Sequence, residues 1–372
     1  VPKPLAHFRI LDLSRILAGP FATQLLADLG AEVVKVEPLG GDPTRGWGPP
    51  FEEGERGESA YFRSANRGKQ SLFMDLAEES CRVALDRMLM GADALVENFL
   101  PDSAERLGFT WERLHAKYPK LIVASVRGFA SDVPVCRRPG YDFIIQAESG
   151  WMSITGEPDG APMKVGVALV DVLAGLYLAN GIQAAFLHRE RTGEALHVEV
   201  PLMEAALAGL VNVGASTLMT GERPQRMGNG HPQIVPYQTF SCQDGQVAIG
   251  VGCDRQFEVL ALWAGIDLVR HPQWRLNQGR VKDRVALIEV LERHFQRFTV
   301  AEVIDACELQ AIPASPVRTV DDVLFRQAGR LHHLIQTLYD ESAGRMVPVL
   351  ASPVLLNDER ACSELPPPRW PE

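Results

Sequence analysis

Residues 165–175, "VGVALVDVLAG", are apolar except for one carboxylate, Asp171. An unpaired charge in apolar surroundings costs roughly several kcal/mol unless it is paired, protonated or capping something. Two chemistries fit it. Asp171 precedes the apolar stretch "VLAGLYLANGIQAAFL", so it can be a helix N-cap, accepting backbone N–H bonds. It can also be a nucleophile. A helix N-terminus stabilises a carboxylate and also the oxyanion formed when that carboxylate attacks a carbonyl carbon. Apolar walls would strip water from it. The two roles are compatible.

Cations stand elsewhere. "NRGKQS" (66–71) puts Arg67 and Lys69 just before a strand, and "AERLGF" carries Arg106. Basic residues at strand ends can clamp phosphates, although a solvated surface charge is the plainer reading of each. The first strand–turn–helix, with Glu37 ending the next strand, has the outline of a dinucleotide site. Its turn, "SRILAGP", holds the single glycine Gly19, so the glycine fingerprint is missing and NAD is not expected. The six cysteines form no CxxC pair, and no His/Cys cluster has zinc spacing. No metal is expected, and the thiols read as reduced.

The elements that must position these groups follow from periodicity. "FRILDL" (8–13), "AEVVKVE" (31–37), "SLFMDL" (71–76), "ALVENF" (94–99), "LIVASVRGF" (121–129) and "ALHVEV" (195–200) read as strands. Helical patterns lie at "PFATQLLADLG", "AEESCRVALDRMLMGA" and 171–191. The fold class predicted is α/β, a mostly parallel sheet covered on both faces, with ligands at the carboxyl ends of its strands. The helix over 171–191 is rich in Gly and Ala and is expected to be buried on most sides. A linker helix is predicted over 201–221. A smaller α+β module follows over 222–328, with one helix showing the stripe Val285, Ile288, Leu291 and Phe295. Residues 1–200 and 329–372 are expected to make one large domain.

The net charge of −10 argues against nucleic acid and anionic membrane as partners. No apolar run free of breakers reaches about 20 residues, so no membrane span is expected. The start, "VPKPLAHFRILDL", lacks the layout of a signal peptide. A cytoplasmic location is expected, or an organellar matrix if a targeting peptide was removed.

Six segments in order carry a resemblance: "LDLSRILAGPFATQLLADLGAEVVKVEP", "NRGKQSLFMDL", "ENFLPDSAERLGF", "GYDFIIQAESGWMSITG", "VGVALVDVLAGLY" and "AIPASPV". Together they resemble the class III CoA-transferase family over nearly the whole chain. The resemblance implies a Rossmann-like large domain, a smaller α+β domain and an interlocked, ring-like homodimer. It implies coenzyme A as substrate, with no permanently bound cofactor. Asp171 would then attack an acyl-CoA, giving a mixed anhydride and next an aspartyl-CoA thioester, which a free acid takes over. Arg106, Asn66, Arg67 and Lys69 would contact CoA. Tyr141 and Asp142 of "GYD" would line the substrate pocket, with Leu17 where formyl-CoA transferase has glutamine. The loop "GNGHPQIVPYQ" (228–238), with Gly230 and His231, is the nearest counterpart of that enzyme's glycine-rich loop.

The racemase branch of the family has a histidine where this chain has Tyr141. A neutral tyrosine, with an ordinary pKa of ~10, is a poor base near pH 7. The transferase reading is therefore preferred to α-methylacyl-CoA racemase, and also to a CoA-binding protein without activity, which would not need Asp171. "GYD", "VGVALVD" and "IVPYQ" are similar to the succinate–hydroxymethylglutarate branch. That implies succinyl-CoA as donor and a dicarboxylic acid as acceptor; a distal carboxylate would need a cation, and Arg15, beside the first turn, is the candidate.

Overall fold

The computed structural model describes residues 2–52, 57–326 and 333–370. The chain divides into two compact units. The larger comprises Val1–Met152, Lys164–Arg223 and Gly329–Glu372, and the smaller Ser153–Met163 and Pro224–Ala328.

Six strands build the sheet of the larger unit: β1 (Arg9–Asp12), β2 (Glu32–Glu37), β3 (Lys69–Phe73), β4 (Ala94–Glu97), β5 (Ile122–Arg127) and β6 (His197–Pro201). All neighbouring pairs are parallel, in the order β3-β2-β1-β4-β5-β6. The order reverses between β1 and β4, and the crevice at such a switch point is where doubly wound sheets bind ligands. The connections carry α1 (Ala18–Asp28), α2 (Ala60–Ser64), α3 (Glu79–Met90), α4 (Pro101–Leu107), α5 (Trp111–Lys117), α6 (Asp142–Glu148), α7 (Trp151–Ile154) and α8 (Leu169–Thr192).

Alternate residues of a strand face opposite sides of the sheet. Ile10, Val33, Val96 and Ile122 pack with α1 and α8. Leu11, Val34, Leu95 and Val123 pack with α3 and α5. By length and composition alone α8 could cross a membrane, contrary to the sequence expectation, but half of its apolar window is buried inside the protein. Ala174, Leu178, Ile182 and Ala185 are fully buried, so α8 acts as the core helix of this unit.

The helix expected over 201–221 is two helices, α9 (Leu202–Ala208) and α10 (Val211–Thr220), bent by 78°. The bend falls beside Gly209, where an added Cβ would meet Trp151 and Leu173 at 2.9 Å. The larger unit closes with two antiparallel strand pairs from the last part of the chain.

The smaller unit has an antiparallel sheet of β7 (Tyr237–Ser241), β8 (Gln246–Gly250) and β9 (Ala314–Pro316). Its helices are α11 (Asp254–Trp263), α12 (Asn277–Lys282), α13 (Arg284–Phe295) and α14 (Val300–Leu309). The α13 stripe matches the sequence reading at Ile288, Leu291 and Phe295 and differs at Val285, whose place Leu287 takes. Leu287, Leu291 and Phe295 are buried, whereas Val285 is 72% exposed. "TVAE" starts α14 with a capping box, in which Thr299 and Glu302 each bond the other's backbone N–H. The last strands of the chain are β10 (Ile335–Asp340), paired with β11 (Arg345–Leu350), and β12 (Leu355–Leu356), paired with β13 (Glu359–Arg360).

The contact of α1 with α8 sets the geometry at the switch point, and Gly175 permits it. An added Cβ there would lie 2.8 Å from the Ala18 carbonyl oxygen and 3.0 Å from the Phe21 ring. The backbone oxygen cannot rotate away, so Gly175→Ala must push the helices apart. We expect a loss of ~1–3 kcal/mol, typical of overpacking, read as a lower urea midpoint. An unchanged midpoint would contradict the packing described.

Candidate active site

Two adjoining clefts open at the carboxyl ends of the sheet. The larger, of about 590 Å³, is lined by Leu13 and Arg15 after β1, Leu39 after β2, Met74 after β3, and Phe99 and Arg106 beyond β4. The smaller, of about 260 Å³, is lined by Leu17, Ala18, Arg127, Tyr141 and Asp171, among others. Arg15, Phe99 and Ser103 line both, so one groove runs from Arg106 past Arg15 to Asp171.

Asp171 is 7% exposed, in the first turn of α8. It is not the N-cap. That position is Ala168, which has no side-chain oxygen to offer. The cap comes from α6 instead. Asp142 accepts the backbone N–H of Val170 at 2.8 Å and that of Asp171 at 3.4 Å. Among the described residues nothing donates a hydrogen bond to the Asp171 carboxylate. Burial, and then the negative charge of Asp142, push its pKa up to about 7. The first turn of α1 also opens on this cleft through Ala18, and such a turn leaves backbone N–H groups without intrahelical partners.

The loop from Ser14 to Leu17 is clamped from three sides. Asn98 accepts from the Arg15 backbone N–H at 3.0 Å and donates to the Arg15 carbonyl at 2.8 Å. Asp42 accepts from the Ile16 N–H at 3.2 Å. Lys35 donates to the Ser14 carbonyl at 2.8 Å and pairs with Asp42 at 3.0 Å. These contacts hold Ile16 at φ +74°, a left-handed conformation that a β-branched side chain resists by about 1–3 kcal/mol. Strain of this size persists only where the surroundings over-determine it.

Asn66, Arg67 and Lys69 serve the fold rather than the groove. Lys69 is buried and donates to Asp12 at 2.9 Å, the Pro20 carbonyl at 2.8 Å and Asn66 at 3.0 Å. Asn66 donates to the Phe62 carbonyl at 2.7 Å. Arg67 grips both carboxylate oxygens of Asp28 and the carbonyl of Leu350. Their hydrogen-bonding groups are engaged inside the protein, which departs from the expectation that they contact CoA. Burial lowers the Lys69 pKa to about 8 against the opposing pull of Asp12. Burial raises that of Asp12, but Lys69 and Lys35 outweigh it and hold the carboxyl at about 2.

The other expected residues divide. Arg106 is exposed on the larger cleft, and Arg15, Leu17 and Tyr141 line the smaller one. Asp142, 8% exposed, stands behind α8 as its cap. Gly230 and His231 belong to the smaller unit, where the His231 N–H donates to the Tyr237 carbonyl at 3.0 Å. Sequence reading missed Arg127 and Tyr61. Arg127 faces the cleft but is paired with Glu97 at 2.8 Å, which leaves Arg15 as the cleft cation with no carboxylate partner among the described residues. Burial raises the Tyr61 pKa to about 12, and the charges of Asp171, Asp142 and Asp42 add to that, so its phenol stays protonated. Only the fold brings Tyr61 to Asp171, and no sequence motif marked it.

The model of one protein family, "CoA-transferase family III", matches residues 5–371. The succinate–glutarate CoA-transferase of Agrobacterium fabrum is 38% identical, over 99% of this chain and 93% of its own length. The succinyl-CoA:glutarate CoA-transferase of Mus musculus is 37% identical, over 98% and 83% respectively. A crystal structure of a CAIB/BAIF family protein from Brucella suis superimposes with a TM-score of 0.86 at 37% identity, covering 99% of this chain and 97% of that one.

The raised pKa of Asp171 fixes a stability trend. A carboxyl that holds its proton more tightly when folded carries no penalty below its unfolded pKa of about 3.8, and a growing one as pH rises through about 7. Asp171→Asn removes that penalty and breaks no hydrogen bond to the carboxylate. The variant should unfold at a higher temperature than wild type at pH 8, by the equivalent of about 4 kcal/mol, and at nearly the same temperature at pH 3, below the unfolded pKa. A variant less stable than wild type at pH 8 would show that the carboxylate has a stabilising partner.

Proposed function

The chain belongs to the CoA-transferase family III, and from that premise we propose that it moves CoA from succinyl-CoA to a free dicarboxylic acid through Asp171. One observation carries the reading: a buried carboxylate, without a hydrogen-bond donor among the described residues, lines a cleft beside the first turn of another helix and an exposed arginine. The relatives named for glutarate and for mesaconate suggest the acceptor class. Hydroxymethylglutarate, malate and itaconate belong to the same class. An interlocked homodimer and a cytoplasmic or organellar-matrix location are part of this proposal.

The chemistry follows from the groove. The CoA nucleotide would occupy the larger cleft, its phosphates near Arg106, with the thioester reaching Asp171 past Arg15. Asp171 attacks the thioester carbonyl, and CoA thiolate leaves as a mixed anhydride forms. The thiolate then attacks the aspartyl carbonyl and releases succinate, leaving aspartyl-CoA. The acceptor carboxylate repeats the sequence in reverse: it displaces the thiolate to form a second anhydride, whose acyl carbonyl the thiolate attacks. Asp171 is regenerated and the new acyl-CoA departs. Backbone N–H groups at the start of α1 are suited to the oxyanion of each addition. Arg15 would bind the distal carboxylate of the acceptor.

The acceptor is tested with a panel of free acids and succinyl-CoA, reading CoA products by mass spectrometry. Dicarboxylic acids should give acyl-CoA products, and their monocarboxylic counterparts of equal length should react at least tenfold more slowly. Equal rates for both classes would contradict the assignment of a distal-carboxylate contact. For CoA itself, Arg106→Ala should raise KM for succinyl-CoA severalfold with kcat nearly unchanged. A remote cation contributes binding shared by ground and transition states. An unchanged KM would return Arg106 to a solvated surface charge.

A further inference from the structure

The Asp142 carboxylate is used twice. One oxygen takes the Val170 and Asp171 backbone N–H groups, at 2.8 and 3.4 Å. The other accepts from the Gln146 amide at 2.6 Å, and the Gln146 amide oxygen accepts from the Val165 N–H at 2.9 Å. Asp142 is 8% exposed and Gln146 fully buried, so water does not compete. No cation lies within ion-pair distance of Asp142 among the described residues. Its charge is answered by the α8 N-terminus and by Gln146.

This arrangement has a consequence for Asp171. A helix N-terminus normally steadies a negative side chain in its first turn and makes it less basic. Here that positive end is already engaged by Asp142, and a second negative charge stands beside Asp171. The other groups around Asp171 are Tyr141 at the start of α6, Tyr61 of α2, Arg15 after β1 and Arg127 of β5. Tyr61 stays neutral, Arg127 is bound to Glu97, and Arg15 is solvent-exposed on the rim of the cleft.

We propose that Asp142 is the positioning residue of this enzyme, fixing the main chain of Asp171 and raising, beyond what burial alone does, the pH at which that side chain becomes a nucleophile. The inference rests on the reading of Asp171 as the attacking group. A more basic carboxylate is the stronger nucleophile toward a thioester, provided it is still deprotonated at working pH. The raised pKa of Asp171, about 7, agrees with the geometry. The same bonds to Val170 and Asp171 lock the first turn of α8, so one side chain controls both the position and the basicity of the next.

The test is the pH profile of kcat/KM for succinyl-CoA in wild type and Asp142→Asn. Asparagine still caps a helix but carries no charge. In wild type the rate should fall tenfold per pH unit below a midpoint near 7. In Asp142→Asn the midpoint should move down by about one unit, the direction expected when a like charge is removed. The plateau rate at high pH should fall as well. The new amide faces the Gln146 amide donor to donor, so this variant could fold poorly. Asp142→Asn combined with Gln146→Glu restores both hydrogen bonds and moves the charge one helical turn further along α6. Its midpoint should also lie below that of wild type. A midpoint unmoved in whichever of these variants folds would overturn the proposal. Intact-protein mass spectrometry separates the two levels. Wild type that never acquires a CoA adduct overturns the nucleophile reading and this inference with it. An adduct that forms with the same pH dependence in wild type and variant overturns this inference alone.

Discussion

The site depends on one constraint, the burial of a carboxylate with nothing to neutralise it. Removing a charge from water is costly, and proteins usually answer it with a cation or several N–H donors. Asp171 has neither. Its surroundings raise its proton affinity instead, so it sits near the boundary between acid and carboxylate at neutral pH. The apolar walls of α8, the cap supplied by Asp142 and the close passage of α1 over Gly175 all serve that condition.

Asp12 makes the contrast clear. It lies in the same unit, is also buried and is held at about 2 by Lys69 and Lys35. Two buried carboxylates thus part by several pKa units, and the difference is their neighbours. One has two lysines and two hydroxyls, the other a second aspartate. The ionised one anchors the first turn of the groove, where Ser14, Thr23 and Lys69 converge on it. The other is left reactive. The Lys69 ammonium, which the sequence suggests for a phosphate, is instead engaged by Asp12, the Pro20 carbonyl and Asn66.

Much of this was legible in the sequence. Alternation of strands and helices gave the parallel sheet, and the lone carboxylate in "VGVALVDVLAG" marked the residue at the end of the groove. Periodicity could not reveal that the α8 cap comes from Asp142, because the two residues are 29 positions apart and meet only through packing. Nor could "NRGK" disclose its buried role, since Asp12 and Asp28, which neutralise Lys69 and Arg67, sit on other elements. One residue of the α13 stripe, Val285, was misplaced for a related reason. Leu287 and Val285 are equally apolar on paper, and only the position of the sheet decides which is covered. Local pattern finds elements and isolated anomalies. Partners across the fold need coordinates.

The central claim, that Asp171 takes the acyl group during transfer, can be followed with oxygen. A dicarboxylic acceptor labelled with ¹⁸O in both carboxylates is turned over with succinyl-CoA, and the peptide containing Asp171 is weighed. Transfer through the second anhydride must leave one acceptor oxygen on the Asp171 carboxylate, so that peptide should gain the mass of one ¹⁸O after a single turnover and of a second after repeated turnovers, and succinate released in later turnovers should carry the label too. Turnover that yields labelled acyl-CoA product while the Asp171 peptide keeps its natural mass would mean that the acceptor never bonds to this residue.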